Sequence, residues 1–186
     1  MTERSGPFRI LVLCTGNSAR SQMAEAIIAT RGEKRPMGQV VAESAGSHPA
    51  AKVNEYALVA LMANGISWGR SKPKHVDAFK GQKFDLVITV CDNARDSCPL
   101  FAGAAAQVHW GLPDPAEHIA PATARAAFAG TYSALVTRLN ALLKLPLETM
   151  DPARLKAEAQ EIHDQIVTPT RRSSARLRRP TTSFGS

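Results

Sequence analysis

Aromatic side chains are scarce in this chain: two tryptophans, two tyrosines and six phenylalanines make up 5% of 186 residues. That scarcity leaves no row of rings on which single-stranded nucleic acid could stack. Long apolar runs are missing as well. Stretches without a charge, such as Ala126–Thr137, fall short of the roughly 20 apolar residues a membrane helix needs and are broken by polar side chains. The opening residues Met1-Thr2-Glu3-Arg4-Ser5-Gly6-Pro7 lack the apolar core of a secretory leader. These absences point to a cytoplasmic protein that binds neither membrane nor nucleic acid.

Cysteine is limited to Cys14, Cys91 and Cys98. An odd count without a leader argues against a disulfide framework. The lack of paired C-x-x-C spacing argues against structural zinc. His48, His75, His109, His118 and His163 are scattered without ligand spacing, so no metal is expected. Acidic residues are missing after residue 165, where Arg171, Arg172, Arg176, Arg178 and Arg179 lie; removing those five charges from the formal net charge of +7 leaves +2 for residues 1–165. The basic tail reads as a solvated, disordered end.

What is present alternates between two periodicities. Residues 8–13 form a continuous apolar run, as a buried parallel strand requires. A helix is expected over Ala19–Arg31, with Met23, Ala26, Ile27 and Thr30 on one face and Gly32 as its stop. Further strands are expected at Gln39–Ser44, Phe84–Val90 and Gln107–Trp110, with Trp110 packing at the rim or in the core. Helices are expected at Asn54–Ala63, capped by Asn54, at Thr123–Leu143, and from Asp151-Pro152 to about residue 166. Ser71–Phe79 holds one more short helical turn. The alternation predicts an α/β fold, an open four-stranded parallel sheet with helices on both faces. Residues 1–7 would be a flexible N-terminus, 8–166 a single domain and 167–186 the tail.

In such sheets ligands bind beyond the C-terminal ends of the strands. Cys14, Cys91 and Asp114 each follow an expected strand end, so they should converge on one rim. Cys14 opens a short loop, Thr15-Gly16-Asn17-Ser18-Ala19, that leads to Arg20 and Ser21 at the start of a helix. A free thiol is mostly protonated at neutral pH. Unpaired N–H groups at a helix start bind tetrahedral oxyanions and stabilise a thiolate, and a guanidinium can clamp two oxygens of a bound oxyanion. The spacing Cys-x5-Arg is weak by itself; the strand before it, Gly16 within it and the helix after it give it weight. No Gly-Lys-Ser/Thr follows, which excludes the nucleotide-type phosphate loop.

Cys91 and Cys98 stand seven residues apart. On an α-helix they would share a face yet lie about 10 Å apart along the axis, whereas a disulfide needs Cα atoms within about 7 Å. Bridging them requires the segment to bend or unwind. Spacing alone leaves a redox pair and two unrelated thiols both open.

The run Cys14-Thr15-Gly16-Asn17-Ser18-Ala19-Arg20-Ser21-Gln22-Met23-Ala24-Glu25 resembles the signature of the low-molecular-weight protein tyrosine phosphatases and their relatives. Within that superfamily it is most similar to the thioredoxin-coupled arsenate reductases. Ser44-Ala45-Gly46 and Asp114-Pro115 match the same pattern, and the resemblance spans about residues 8–145. It implies a low-molecular-weight phosphatase-like fold, with Thr15 to Ser21 binding the substrate oxyanion, Arg20 clamping it, Ser21 holding the thiolate and Asp114 protonating the departing oxygen.

The resemblance also implies a relay in which Cys14 attacks arsenate, Cys91 attacks Cys14 as arsenite leaves, and Cys98 then forms a disulfide with Cys91. No cofactor is tightly bound; the external reductant is thioredoxin, or glutaredoxin with glutathione. In some members the counterparts of Asn17 and Glu25 hold a potassium ion. The stretch Arg70-Ser71-Lys72-Pro73-Lys74 lacks the acidic partner expected there, and a lysine, Lys72, is expected to stand in for the cation. Two alternatives remain: a low-molecular-weight protein tyrosine phosphatase, which would leave Cys91 and Cys98 idle, and a non-catalytic arsenite or thiol redox sensor.

Overall fold

The computed structural model describes residues 6–69, 71–91, 100–117 and 120–167. Cys98 and the basic stretch from residue 168 onward lie outside the described residues. Four strands, β1 (Phe8–Cys14), β2 (Val40–Gly46), β3 (Phe84–Thr89) and β4 (Ala104–His109), form one parallel sheet in the order β2-β1-β3-β4. Among the described residues the α-helices are α1 (Arg20–Gly32), α2 (Glu55–Met62), α3 (Pro121–Leu143) and α4 (Pro152–Val167). Among the described residues none is long and apolar enough to cross a membrane.

Alternation along β1 divides the core between the two faces of the sheet. Ile10 and Val12 join Met23 and Ile27 of α1, Leu135 and Leu139 of α3, and Leu155 and Ala159 of α4 in the larger cluster. Leu11 and Leu13 point to the other face, against Val87 and Phe79. Phe79 belongs to a 3-10 helix, Val76–Phe79, where the sequence suggested a short turn. Helical segments thus cover both faces, as expected.

Some boundaries and faces differ from expectation. Strand β4 begins three residues early, at Ala104; its run of alanines has low strand propensity, and pairing to β3 decides its extent. Helix α1 is buried at every residue from Arg20 to Ile28, because it lies between the sheet and α3. A single apolar stripe therefore understated its contacts. Trp110 is fully buried and donates its indole N–H to the Ala159 carbonyl 2.9 Å away, tying the end of β4 to α4. The 3-10 turns Pro115–Glu117 and Leu147–Thr149 had no periodic signal.

Arg35 closes the C-terminal end of α3. Its guanidinium donates to the carbonyls of Leu143 and Leu145, each 2.8 Å away, and pairs with Glu148. The Leu143 carbonyl, in the last turn, has no partner within the helix, and the Arg35 side chain is 4% exposed. Replacing Arg35 by Ala is expected to cost about 3 kcal/mol by leaving Glu148 unpaired, read as a lower urea midpoint.

A second prediction concerns acid. His163 on α4 accepts a hydrogen bond at Nδ1 from Arg138 Nε of α3, 3.1 Å away. Burial first, and the Arg138 charge second, push the His163 pKa below its ordinary value. The unfolded chain therefore takes up this proton before the folded state does. Stability is full above about pH 6.5 and falls as pH drops through the lowered value. Thermal melts from pH 7 to 5 should show that fall, and His163→Gln should flatten it.

Candidate active site

The sheet order reverses beside β1: β2 lies on one side of it, β3 and β4 on the other. Such a reversal opens a crevice at the C-terminal ends of the two central strands. Cys14 is the last residue of β1. Leu13 pairs with Thr89 in β3, and Val90 N–H donates to the Leu13 carbonyl at 2.9 Å. Cys91 follows immediately and is buried. The two cysteines therefore leave neighbouring strands at nearly the same level, where strands lie about 4.8 Å apart.

Between Cys14 and α1 the loop is held from outside. The carbonyls of Cys14, Thr15, Gly16 and Ser18 accept hydrogen bonds from the amides of Ser47, His48, Ala50 and Asn54, at 2.8 to 3.3 Å. A trans peptide directs its N–H opposite its carbonyl, so the intervening amides turn away from that segment and toward the thiol. Asn17 N–H shows the direction, donating to Cys14 Sγ at 3.1 Å. The result is a cradle of backbone donors at the start of α1, a setting that binds tetrahedral anions. Gly46 is required by this wrapping: a Cβ there would sit 2.4 Å from the Thr15 carbonyl oxygen and 2.9 Å from Asn17 N. That is the physical reason for glycine in Ser44-Ala45-Gly46.

Hydrogen-bond directions behind the loop can be assigned one by one. Asn17 has φ of +44° and is completely buried. Its Nδ2 donates to Ser21 Oγ and to Ser44 Oγ, each at 2.8 Å. Its Oδ1 accepts from Gln22 Nε2 at 3.1 Å and from Lys74 N at 2.7 Å. Ser44 donates to Glu25. Because Ser21 Oγ already accepts from Asn17, its own proton is available to Cys14 Sγ, 2.9 Å away. Two donors thus converge on the sulfur, an arrangement suited to a thiolate.

Glu25 ends this path. Burial pushes its pKa up, opposed by the Ser44 hydrogen bond and the Lys74 charge. Lys74 Nζ lies 3.3 Å from Glu25 Oε1 and 2.5 Å from Glu43 Oε2. Burial works against the Lys74 charge, yet Glu43 and Glu25 together hold its pKa above the ordinary lysine value. Lys72, the residue expected to approach Glu25, contributes its carbonyl to Gln22 Nε2 at 3.2 Å. Ion pairs with Glu25 of α1 and Glu43 of β2 hold the Lys74 side chain inward, contacts between distant segments that composition could not reveal.

Arg20 begins α1. Its Nη1 donates to the Leu112 carbonyl at 2.7 Å and its Nη2 to Asp114 Oδ2 at 2.8 Å. Asp114 Oδ1 accepts from Ala116 N at 3.0 Å, closing the turn after β4. Thiol, arginine and carboxylate are thereby gathered on one rim, with Thr15, Gly16, Ser18 and Ala19 in the loop between Cys14 and Arg20. Gln22 and Ser44 stand within quoted motifs and Glu43 and Lys74 beside or after them, but none had an assigned role, because their contacts join segments tens of residues apart.

Comparison with known proteins follows the same lines. The family model described as low molecular weight phosphotyrosine protein phosphatase matches residues 9–161. An arsenate reductase of Halalkalibacterium halodurans is 41% identical over 108 residues, covering 58% of this chain and 74% of that protein. The crystal structure of an arsenate reductase from Archaeoglobus fulgidus superposes with a TM-score of 0.56 at 29% identity, over 70% of this chain and 98% of that one. A low molecular weight protein tyrosine phosphatase from T. tengcongensis shares the fold, with a TM-score of 0.55 at 22% identity over 69% of this chain and 92% of that one.

The close approach at Gly46 is directly testable. Gly46→Ala should displace the loop and weaken protection of Cys14 by inorganic phosphate about tenfold or more, since such overpacking costs about 1–3 kcal/mol. Alkylation by iodoacetate, mapped to Cys14 by mass spectrometry over a phosphate titration, gives the number.

Proposed function

The chain belongs to the low molecular weight phosphotyrosine protein phosphatase family, and we propose that within it the protein reduces arsenate to arsenite. Its oxyanion cradle suits a tetrahedral dianion. Arg20 contributes charge and a planar pair of donors to the bound oxygens. The Cys14 thiolate attacks arsenic, an As–S bond forms, and the departing oxygen takes a proton from Asp114 and leaves as water. The Cys91 thiolate then attacks Cys14 sulfur. The As–S electron pair goes to arsenic, which leaves as arsenite, and a Cys14–Cys91 disulfide remains. Cys98 attacks Cys91, regenerates the Cys14 thiolate and stores the oxidation as a Cys91–Cys98 disulfide. An external dithiol protein, thioredoxin, returns that disulfide to two thiols.

The observation that carries this reading is the buried Cys91 at the end of the strand next to Cys14. Phosphate-ester hydrolysis uses Cys14, Arg20 and Asp114 and leaves this second thiol without a task. The 41% identical arsenate reductase supports the same reading. Directly beside Asp114, the residues Pro115, Ala116 and Glu117 supply no aromatic wall for a phenyl ring.

Cys91→Ser and Cys98→Ser should each reduce multiple-turnover arsenate reduction with thioredoxin at least about a hundredfold, since each removes an obligatory exchange step. Cys98→Ser should release one arsenite per protein and stop with Cys14 bridged to Cys91. Slow p-nitrophenyl phosphate hydrolysis should survive in both variants and vanish in Cys14→Ser. Wild-type arsenate turnover in either relay variant would refute the relay.

A further inference from the structure

Behind the thiol loop, the place where some members of this family hold a potassium ion is filled by protein donors. Asn17 Oδ1 has two lone pairs, and both accept, from Gln22 Nε2 and from Lys74 N. Ser44 Oγ accepts from Asn17 and gives its proton to Glu25. The other Glu25 oxygen faces the Lys74 ammonium at 3.3 Å. A metal ion ligated by Glu25 would lie against that ammonium, with the Asn17 carbonyl already saturated. The residues present do not fit a bound monovalent cation.

We infer that Lys74 is a positioning residue that replaces the cation, neutralising Glu25 and holding the path from Glu25 through Ser44, Asn17 and Ser21 to Cys14. A buried carboxylate without a partner is costly, and Glu25 is 7% exposed. Lys74 reaches the network twice. Its main chain donates to Asn17 Oδ1 and accepts from Gly46 N at 2.9 Å, beside the loop. Its side chain bridges Glu25 and Glu43 and lies 5.4 Å from the centre of the Phe79 ring. Glu43, one residue before Ser44 on β2, anchors the ammonium from the solvent side. Glu25 also lines a cavity with Ser67, Trp68, Gly69 and Ser71, which offers room for a small cation to approach this residue once the lysine is gone.

This inference concerns the thiol loop and holds whether the oxyanion is arsenate or phosphate, so its test avoids arsenate turnover. Full-length wild type, Lys74→Met and Lys74→Arg are compared in KCl, NaCl and tetramethylammonium chloride at equal ionic strength and one pH. The readouts are the rate of Cys14 alkylation by iodoacetamide, mapped by mass spectrometry, and the melting temperature. Wild type and Lys74→Arg should react alike in all three salts, within about twofold. Lys74→Met should react about tenfold more slowly in tetramethylammonium chloride, through loss of the thiolate-directing contacts, and regain most of that rate and a higher melting point in KCl.

Three results would overturn the inference: potassium-specific acceleration or stabilisation of wild type, wild-type reactivity of Lys74→Met in tetramethylammonium chloride, or no recovery of Lys74→Met in KCl. Should Lys74→Met fail to fold, the salt series on wild type and Lys74→Arg still decides, since potassium dependence in either would sink the idea.

Discussion

Asn17 carries the constraint on which the site is built. It is held in the left-handed region, buried, with its amide on Cys14 and its side chain on Ser21, Ser44, Gln22 and the Lys74 main chain. That conformation costs a non-glycine residue about 1–2 kcal/mol. Each hydrogen bond contributes about 0.5–1.5 kcal/mol net, so the surrounding contacts offset the cost several times over. Glycine would adopt the turn readily and would lose the side-chain hub. Asparagine is among the few residues that tolerate the conformation and also supply two donors and an acceptor.

From this hub the chemistry and the fold become hard to separate. The loop can wrap the oxyanion position because Ser47 to Asn54 hold its carbonyls outward, and that segment can approach because Gly46 lacks a side chain. Strand order matters equally. The reversal beside β1 leaves the ends of β1 and β3 adjacent, which puts Cys14 and Cys91 on the same level. The turn after β4 contributes Asp114 from one strand further along, pinned by Arg20.

The same cradle suits two chemistries. An oxyanion bound by backbone amides and an arginine, attacked by a thiolate and protonated by a carboxylic acid, can be a phosphate ester or arsenate. The two diverge in what happens after the sulfur is bonded. A phosphoryl group on sulfur awaits water; an arsenic on sulfur can leave with the bonding electron pair when a second thiol arrives. In the proposed relay, Cys91 supplies that thiol from a neighbouring strand end.

How much of this was legible beforehand follows from the range of each interaction. The chain alone determined the strand–loop–helix unit around Cys14, the number of strands and the ends at which Cys91 and Asp114 fall. Each is written in local periodicity, in an apolar run ended by a small-residue loop or in a proline-flanked turn. It also carried Glu25, as the expected partner of a cation or a lysine, and Ser44 within a recognisable motif without its role. Only the tertiary structure decided that Lys74 rather than Lys72 reaches Glu25, that Gly46 is needed by the loop of another strand, and that α1 is buried around most of its circumference. Those facts depend on contacts between segments tens of residues apart. Lys72 and Lys74 stand two residues apart on one segment and are the same residue type, so no composition or spacing records which of them meets Glu25 until that segment is laid against α1 and β2.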